Sequence, residues 1–100
     1  MEPAVDPEVI AELWRVICER ADHPSETSYT SRLFNDPKGI DKVLEKVGEE
    51  STEFILAVKN GVNERTVSET ADLLFHIFVA LRAADIDLAD VMKELGHRRK

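Results

Sequence analysis

The sequence predicts an all-α protein built on an antiparallel helical hairpin with flanking helices. Three observations favour this class. Apolar residues recur at helical spacing in four segments, capping residues precede those segments, and no stretch alternates convincingly between apolar and polar residues. The chain has 100 residues, of which 43% are hydrophobic and 33% charged, as is typical of one globular domain, here residues 1–100.

The first predicted helix begins after Asp6, because Asp6-Pro7-Glu8 places an N-cap residue before a proline and an acid. It runs to about Arg20 and contributes Trp14 to the core. Residues 22–36 contain many turn formers and no sustained period, so we expect a loop there.

Two longer helices follow, joined by a very short turn. Asp36-Pro37 repeats the capping pattern before the second helix, and Gly61 ends that helix in a left-handed conformation. Asn63 is the predicted cap of the third helix, which runs to about Ala84. Helices joined so tightly must lie antiparallel and adjacent.

Asp87 is the predicted cap of a fourth, short helix, and we expect frayed ends at residues 1–5 and 97–100.

The net charge of -7 disfavours nucleic-acid binding, and the longest apolar run is too short to cross a bilayer. Cys18 is the only cysteine, and the N-terminus lacks the pattern of a secretory signal. These features predict a cytoplasmic protein that contacts neither nucleic acid nor membrane.

Acidic residues form one pair on each helix of the predicted hairpin. Glu50 and Glu53 are one turn apart on the second helix, as are Glu69 and Asp72 on the third. Counted from Gly61, the members of both pairs lie about eight and eleven residues away, so the pairs occur at the same levels.

Stacked carboxylates at a helix interface repel one another and lose hydration unless a hard cation neutralises them. Oxygen ligands without cysteine favour Mg²⁺, with Mn²⁺ possible, over zinc. We therefore predict a metal site formed by Glu50, Glu53, Glu69 and Asp72, to which Glu49 contributes or orients a water. The alternative is a set of salt-bridged surface acids.

Three other residues of the hairpin allow two interpretations each. His76, alone on an apolar helix, is a metal ligand or proton carrier, or else a core histidine with satisfied hydrogen bonds. Lys42 and Lys46 contact phosphate, or form ordinary ion pairs such as Lys46 with Glu49 or Glu50.

The predicted loop also contains candidate ligand contacts. Tyr29, Thr30 and Arg32 occur there, and the segment either folds over a ligand or is simply a polar loop.

These motifs resemble those of the phosphoribosyl-ATP pyrophosphatase family, within the MazG-like all-α nucleotide pyrophosphohydrolases. The resemblance covers about residues 25–98. Its motifs are Ser28-Tyr29-Thr30-x-x-Leu33, Lys42-x-x-x-Lys46-Val47-Gly48-Glu49-Glu50, Glu53, and Glu69-Thr70-Ala71-Asp72-Leu73-Leu74-Phe75-His76. Ser51-Thr52 and Phe75 depart from the commonest family residues, and neither departure touches an acidic position.

The resemblance implies hydrolysis of 1-(5-phosphoribosyl)-ATP to 1-(5-phosphoribosyl)-AMP and pyrophosphate, the second step of histidine biosynthesis. A water activated by the metal or by a carboxylate would attack the α–β phosphoanhydride. Some relatives are fused to a cyclohydrolase with zinc-binding cysteines, so a chain with one cysteine is expected to have a single activity. The candidate catalytic residues are Glu49, Glu50, Glu53, Glu69 and Asp72, and the candidate substrate contacts are Tyr29, Thr30, Arg32, Lys42, Lys46 and His76.

Two alternatives belong to other functional classes. One is a housecleaning pyrophosphatase for noncanonical nucleoside triphosphates, and the other is a nonenzymatic helical module whose acids meet a basic partner. Pyrophosphate release separates the enzymes from the binding module, and substrate preference separates the two enzymes.

The third helix also predicts a homodimer. Residues 73–81 are apolar around nearly the whole circumference, and the short helices offer too few apolar positions to cover them. The uncovered face, expected at Phe75 with Val79 or at Phe78 with Leu81, would be covered by pairing two hairpins into a four-helix core. Such pairing would also bring Tyr29 or Arg32 of one subunit near the acids of the other.

Overall fold

The computed structural model describes residues 4–99, and within them it contains five helices and no strand. The all-α prediction is confirmed. The helices are α1 (Pro7–Asp22), α2 (Tyr29–Phe34), α3 (Ile40–Asn60), α4 (Asn63–Ala83) and α5 (Leu88–Arg98). Of the predicted frayed ends, residues 1–3 and 100 lie outside the described range. No helix within that range has both the length and the apolar composition that crossing a membrane demands.

The antiparallel hairpin predicted for the centre of the fold is formed by α3 and α4. Gly61 makes the turn with φ of 70°, and the Val62 amide donates to the Ala57 carbonyl (3.4 Å). Glycine adopts this left-handed conformation at no steric cost. Asn63 is the first residue of α4, so its predicted role as the cap is wrong, and Val62 occupies that position without a side-chain hydrogen bond.

The predicted loop at residues 22–36 is wrong for its second half, because Tyr29–Phe34 forms α2. The Ser28 hydroxyl accepts from the Ser31 amide (3.2 Å), and the Ser31 hydroxyl donates to the Arg20 carbonyl (3.2 Å). These bonds cap α2 and tie it to α1. Six residues are too few to display a helical period, which is why the sequence pattern did not predict this helix.

The start of α3 also differs from the prediction, since the helix begins at Ile40 and not directly after Asp36-Pro37. The Asp36 carboxylate accepts from the Lys38 amide (2.9 Å), and the Asp36 carbonyl accepts from the Gly39 amide (2.8 Å). Asp36 therefore closes a turn of its own, a common alternative use of aspartate.

The outer helices begin as predicted. The Asp6 carboxylate accepts from the Glu8 amide (3.0 Å) at the start of α1, and the Asp87 carboxylate accepts from the Ala89 amide (2.9 Å) at the start of α5. The end of α1 lies at Asp22, slightly beyond the predicted end.

The core forms where α1 and α2 pack on the hairpin. Its buried residues come from all five helices, and the edge of the Trp14 ring packs against Phe78 with 6.2 Å between ring centroids. These buried residues are Ile17, Leu33, Val43, Phe78, Val79 and Leu88.

The prediction of which apolar face of α4 is exposed is wrong. Val79 is 0% exposed and Phe78 is also buried, because α1 covers this part of α4. Among the exposed apolar side chains of the described residues, one set instead lies on the hairpin, on either side of its turn. We call this set the hairpin surface; it consists of Ile55, Val58, Val62, Val67 and Leu74.

Candidate metal centre

The hairpin brings three carboxylates together. One carboxylate oxygen from each of Glu50, Glu69 and Asp72 lies within 4.8 Å of the other two. The side chains of Glu50 and Glu69 are each only 12% exposed, whereas Asp72 is exposed. Three oxygens at this spacing can share one divalent cation on a side that is open to solvent.

Two oxygen atoms in this group have unmet hydrogen-bonding capacity. Glu50 Oε2 and Glu69 Oε2 are buried without a hydrogen-bond partner. A buried carboxylate oxygen without a partner costs free energy, and a hard cation supplies the missing interaction. The donor set consists of oxygens alone, so it fits a divalent cation such as Mg²⁺ better than a thiophilic metal.

Glu53, the fourth predicted ligand, lies beside Glu69 and is exposed, outside the group of three. Desolvation raises the pKa of Glu69, and the neighbouring carboxylates of Glu53, Glu50 and Asp72 raise it further. The other three acids therefore oppose the ionisation of Glu69 in the absence of a cation. We call these four residues, Glu50, Glu53, Glu69 and Asp72, the acidic cluster.

Lys46 links the acidic cluster to Glu49. Its Nζ atom lies 2.9 Å from Glu49 Oε2 and 3.8 Å from Glu50 Oε1. The hydrogen bond from Lys46, together with the charges of Lys46 and Lys42, lowers the pKa of Glu49. Glu49 therefore stays ionised, and both lysines lie on the acidic side of α3.

His76 uses both of its ring nitrogens inside the fold. It lies one turn after Asp72, is 5% exposed, and has Nδ1 2.7 Å from the Asp72 carbonyl oxygen. A carbonyl group only accepts, so Nδ1 carries the proton, and Nε2 of the neutral ring accepts from the Tyr29 hydroxyl (2.9 Å). These contacts are those of a core histidine with satisfied hydrogen bonds.

The other candidates from the second half of the predicted loop lie on α2. Thr30 is half-buried there, whereas the exposed Arg32 donates from Nη1 to the Glu26 carbonyl (3.4 Å). Arg32 also lines a shallow groove with Ser25 and Asn35, away from the acids. Within one chain, the structure brings Tyr29 but not Arg32 toward the acidic cluster.

Sequence analysis missed two neighbours of the site. Arg65 Nη2 lies 3.6 Å from Glu69 Oε1, and the spacing of four residues on a helix was a usable signal. The Phe75 ring stacks on Tyr29 with 6.2 Å between centroids and 28° between planes. No sequence pattern predicts that contact, since it joins two separate helices.

Comparison with known proteins identifies the family. The family model described as phosphoribosyl-ATP pyrophosphohydrolase matches residues 10–99. This chain belongs to the phosphoribosyl-ATP pyrophosphohydrolase family. The family predicted from the acidic motifs is therefore confirmed.

Individual members of the phosphoribosyl-ATP pyrophosphohydrolase family are similar along nearly the whole chain. The phosphoribosyl-ATP pyrophosphatase of Methanoregula boonei is 75% identical over 96% of this chain and 92% of its own length. That of Methanoculleus marisnigri is 62% identical over 92% of this chain and 95% of its own. A histidine biosynthesis bifunctional protein from Nostoc sp. is 42% identical over 93% of this chain, which corresponds to 42% of that longer protein.

Proposed function

We propose that this protein hydrolyses 1-(5-phosphoribosyl)-ATP to 1-(5-phosphoribosyl)-AMP and pyrophosphate, the second step of histidine biosynthesis. Membership of the family supports the choice of substrate. The observation that best supports metal-dependent hydrolysis is that Glu50 and Glu69, beside Asp72, each have a buried oxygen without a hydrogen-bond partner. The single cysteine is compatible with the reducing cytoplasm as its location.

The proposed cofactor is Mg²⁺, for which Mn²⁺ can substitute. Glu50, Glu69 and Asp72 would hold it, and Glu53 would complete the set of carboxylates. When bound, the ion neutralises charge on the triphosphate and lowers the pKa of a coordinated water.

Glu49 is suited to orient the attacking water. Its lowered pKa keeps the carboxylate ionised and makes it a weak base, so we assign it to holding the water by a hydrogen bond and not to removing the proton. Lys42 and Lys46 are the proposed contacts for phosphate oxygens, where their positive charge stabilises the departing pyrophosphate. No protein nucleophile is required.

The proposed substrate contacts on α2 and α4 are Tyr29, Thr30 and His76, with His76 acting through Tyr29. Arg32 is a weaker candidate, because it would have to leave the Glu26 carbonyl to reach a phosphate.

We also propose a homodimer that pairs the hairpin surfaces of two subunits. Ile55 and Val58 lie three residues apart on α3, Val67 and Leu74 lie seven residues apart on α4, and Val62 lies at the turn between the two helices. These spacings are typical of helices that pack side by side along their length.

The decisive experiment is a pyrophosphate-release assay with phosphoribosyl-ATP, ordinary ATP and modified nucleoside triphosphates, with Mg²⁺ and with excess chelator. We expect Mg²⁺-dependent release of pyrophosphate with a preference for phosphoribosyl-ATP. Release of single orthophosphates, or full activity in chelator, would contradict the proposal. Preference for modified nucleotides would indicate the housecleaning enzyme, and complete inactivity would favour a binding module.

A further inference from the structure

The Tyr29 ring is held on one side and open on the other. Phe75 stacks against one of its faces, and the His76 ring packs edge-on against it with 5.9 Å between centroids. Even so, Tyr29 is 43% exposed. A tyrosine with one offset aromatic neighbour and this much remaining exposure leaves part of its ring open to solvent.

Hydrogen bonds fix the orientation of this ring. The Tyr29 hydroxyl donates to His76 Nε2 (2.9 Å), and His76 is itself fixed by the bond from Nδ1 to the Asp72 carbonyl (2.7 Å). The Phe75 ring meets the His76 ring at 87° with 5.0 Å between centroids, so the imidazole cannot turn freely. The Tyr29 side chain is therefore held by the hydrogen bond of its hydroxyl and by the aromatic contact with Phe75.

The same bonds determine what Tyr29 can offer to a ligand. Its hydroxyl proton is used by His76, so the hydroxyl does not donate to a phosphate while this bond persists. Its ring, by contrast, is available. The Tyr29 hydroxyl bonds to His76, and His76 bonds to the backbone carbonyl of Asp72. Asp72 and His76 are about 6 Å apart along α4, a separation that is shorter than a nucleotide.

We infer that the open face of the Tyr29 ring binds the purine base of the nucleotide, and that His76 is a positioning residue that holds the ring in place. This inference rests on the proposed function, because it assumes that the acidic cluster receives the phosphates of the same molecule. Purine bases stack on aromatic side chains through their flat faces, and a ring fixed in advance loses less entropy when it binds.

The test compares two probes, AMP with a purine base and pyrophosphate without one, by titration calorimetry in Mg²⁺. Tyr29→Leu removes the ring and should weaken AMP binding roughly tenfold, the effect of losing one stacked base. Binding of pyrophosphate should be unchanged. A general disturbance of the site would weaken both probes equally, and that result would overturn the inference, as would unchanged AMP binding.

Three further single variants and one double variant test the positioning role of His76. Tyr29→Phe keeps the ring but removes the hydroxyl, and it should raise KM for the nucleotide while leaving kcat nearly unchanged. His76→Leu should weaken AMP binding as much as Tyr29→Phe does, and combining the two should add nothing further. His76→Gln, which keeps an acceptor for the hydroxyl, should restore most of the AMP affinity. Additive losses in the double variant would overturn the positioning role.

Since Tyr29 is an exposed residue and Tyr29→Phe keeps its ring, the result for this variant is informative even if the variants of buried His76 fold poorly. Failure of the proposed function gives a different pattern. Suppose that the unaltered protein releases no pyrophosphate from phosphoribosyl-ATP, while Tyr29→Leu still weakens AMP binding. That result would contradict the proposed function and support the base site.

Discussion

The carboxylates of the acidic cluster oppose one another unless a cation lies among them. Glu50 and Glu69 are largely withdrawn from water, and each has a buried oxygen without a partner. Lys46 and Arg65 approach these two acids only at 3.8 and 3.6 Å. The repulsion that destabilises the metal-free cluster would therefore also favour binding of the proposed cation.

Removing one acid should separate function from stability. We expect Asp72→Asn and Glu53→Gln each to lower turnover on the order of 100-fold or more, because metal binding contributes several kcal/mol to such reactions. Without metal, both variants should unfold at the same or a higher temperature than the unaltered protein. Glu94→Gln on α5, remote from the acidic cluster, is the matched control. Near-normal turnover in both variants would show that the site is misassigned.

The raised pKa of Glu69 predicts how the stability of the metal-free protein depends on pH. A carboxyl whose pKa is higher in the folded state binds its proton more tightly there, so its stabilising contribution is complete below the unfolded value of 4.5. That contribution is lost as pH rises through the raised folded pKa. In chelator, the difference in unfolding free energy between Glu69→Gln and the unaltered protein should therefore grow in favour of the variant as pH rises. Parallel curves at all pH values would contradict the raised pKa.

Sequence reasoning found the acids but not the aromatic contacts beside them. Spacing along two helices and one tight turn is enough to place Glu50 near Glu69 and Asp72, since every step is local. The bond between Tyr29 and His76 joins residues 47 positions apart on separate helices. It depends on how α2 packs on the hairpin, which no local pattern encodes.

At the level of the helices, local capping residues predicted some boundaries and failed at others. Asp6 and Asp87 cap their helices, because each carboxylate accepts a hydrogen bond from the amide two residues further along the chain. Asp36 instead closes a turn before Gly39, and α3 begins only afterwards. A capping residue signals that the chain can turn there, but the next residues decide where the helix begins.

Two glycines, one inside α3 and one directly after it, should respond to alanine in opposite directions. Gly61 ends the helix with φ of 70°, and no atom lies within 4 Å of the point that an alanine Cβ would occupy, so Gly61→Ala should destabilise by about 1 kcal/mol through backbone strain alone. Gly48 lies inside the helix with equally open space, so Gly48→Ala should stabilise by about 0.5–1 kcal/mol. Urea unfolding of both variants measures the difference. Equal effects of the same sign would show that steric contacts outweigh backbone conformation.

For the whole molecule, sequence periodicity predicted the all-α class and the hairpin but misplaced its exposed apolar face. The amount of apolar surface on α4 can be read from residues 73–81 alone. Which part stays exposed depends on where α1 and α2 pack, and they cover the end of α4 that contains Phe78 and Val79. The apolar surface of the hairpin that stays exposed is therefore displaced toward the turn.

The exposed position of Val67 allows a sharp test of the homodimer. Val67 is 72% exposed on α4, near the turn, and in the proposed dimer its side chain is covered by the second subunit. Val67→Glu would then place an unpaired charge in an apolar contact, which is strongly unfavourable. We expect the unaltered protein to sediment at micromolar concentration as a particle of twice 11.3 kDa, and the variant as a monomer. Val9→Glu on α1, where Val9 is 62% exposed and outside the hairpin surface, should leave the dimer intact. If the unaltered protein were a fully active monomer, both the dimer and any site shared between subunits would be refuted.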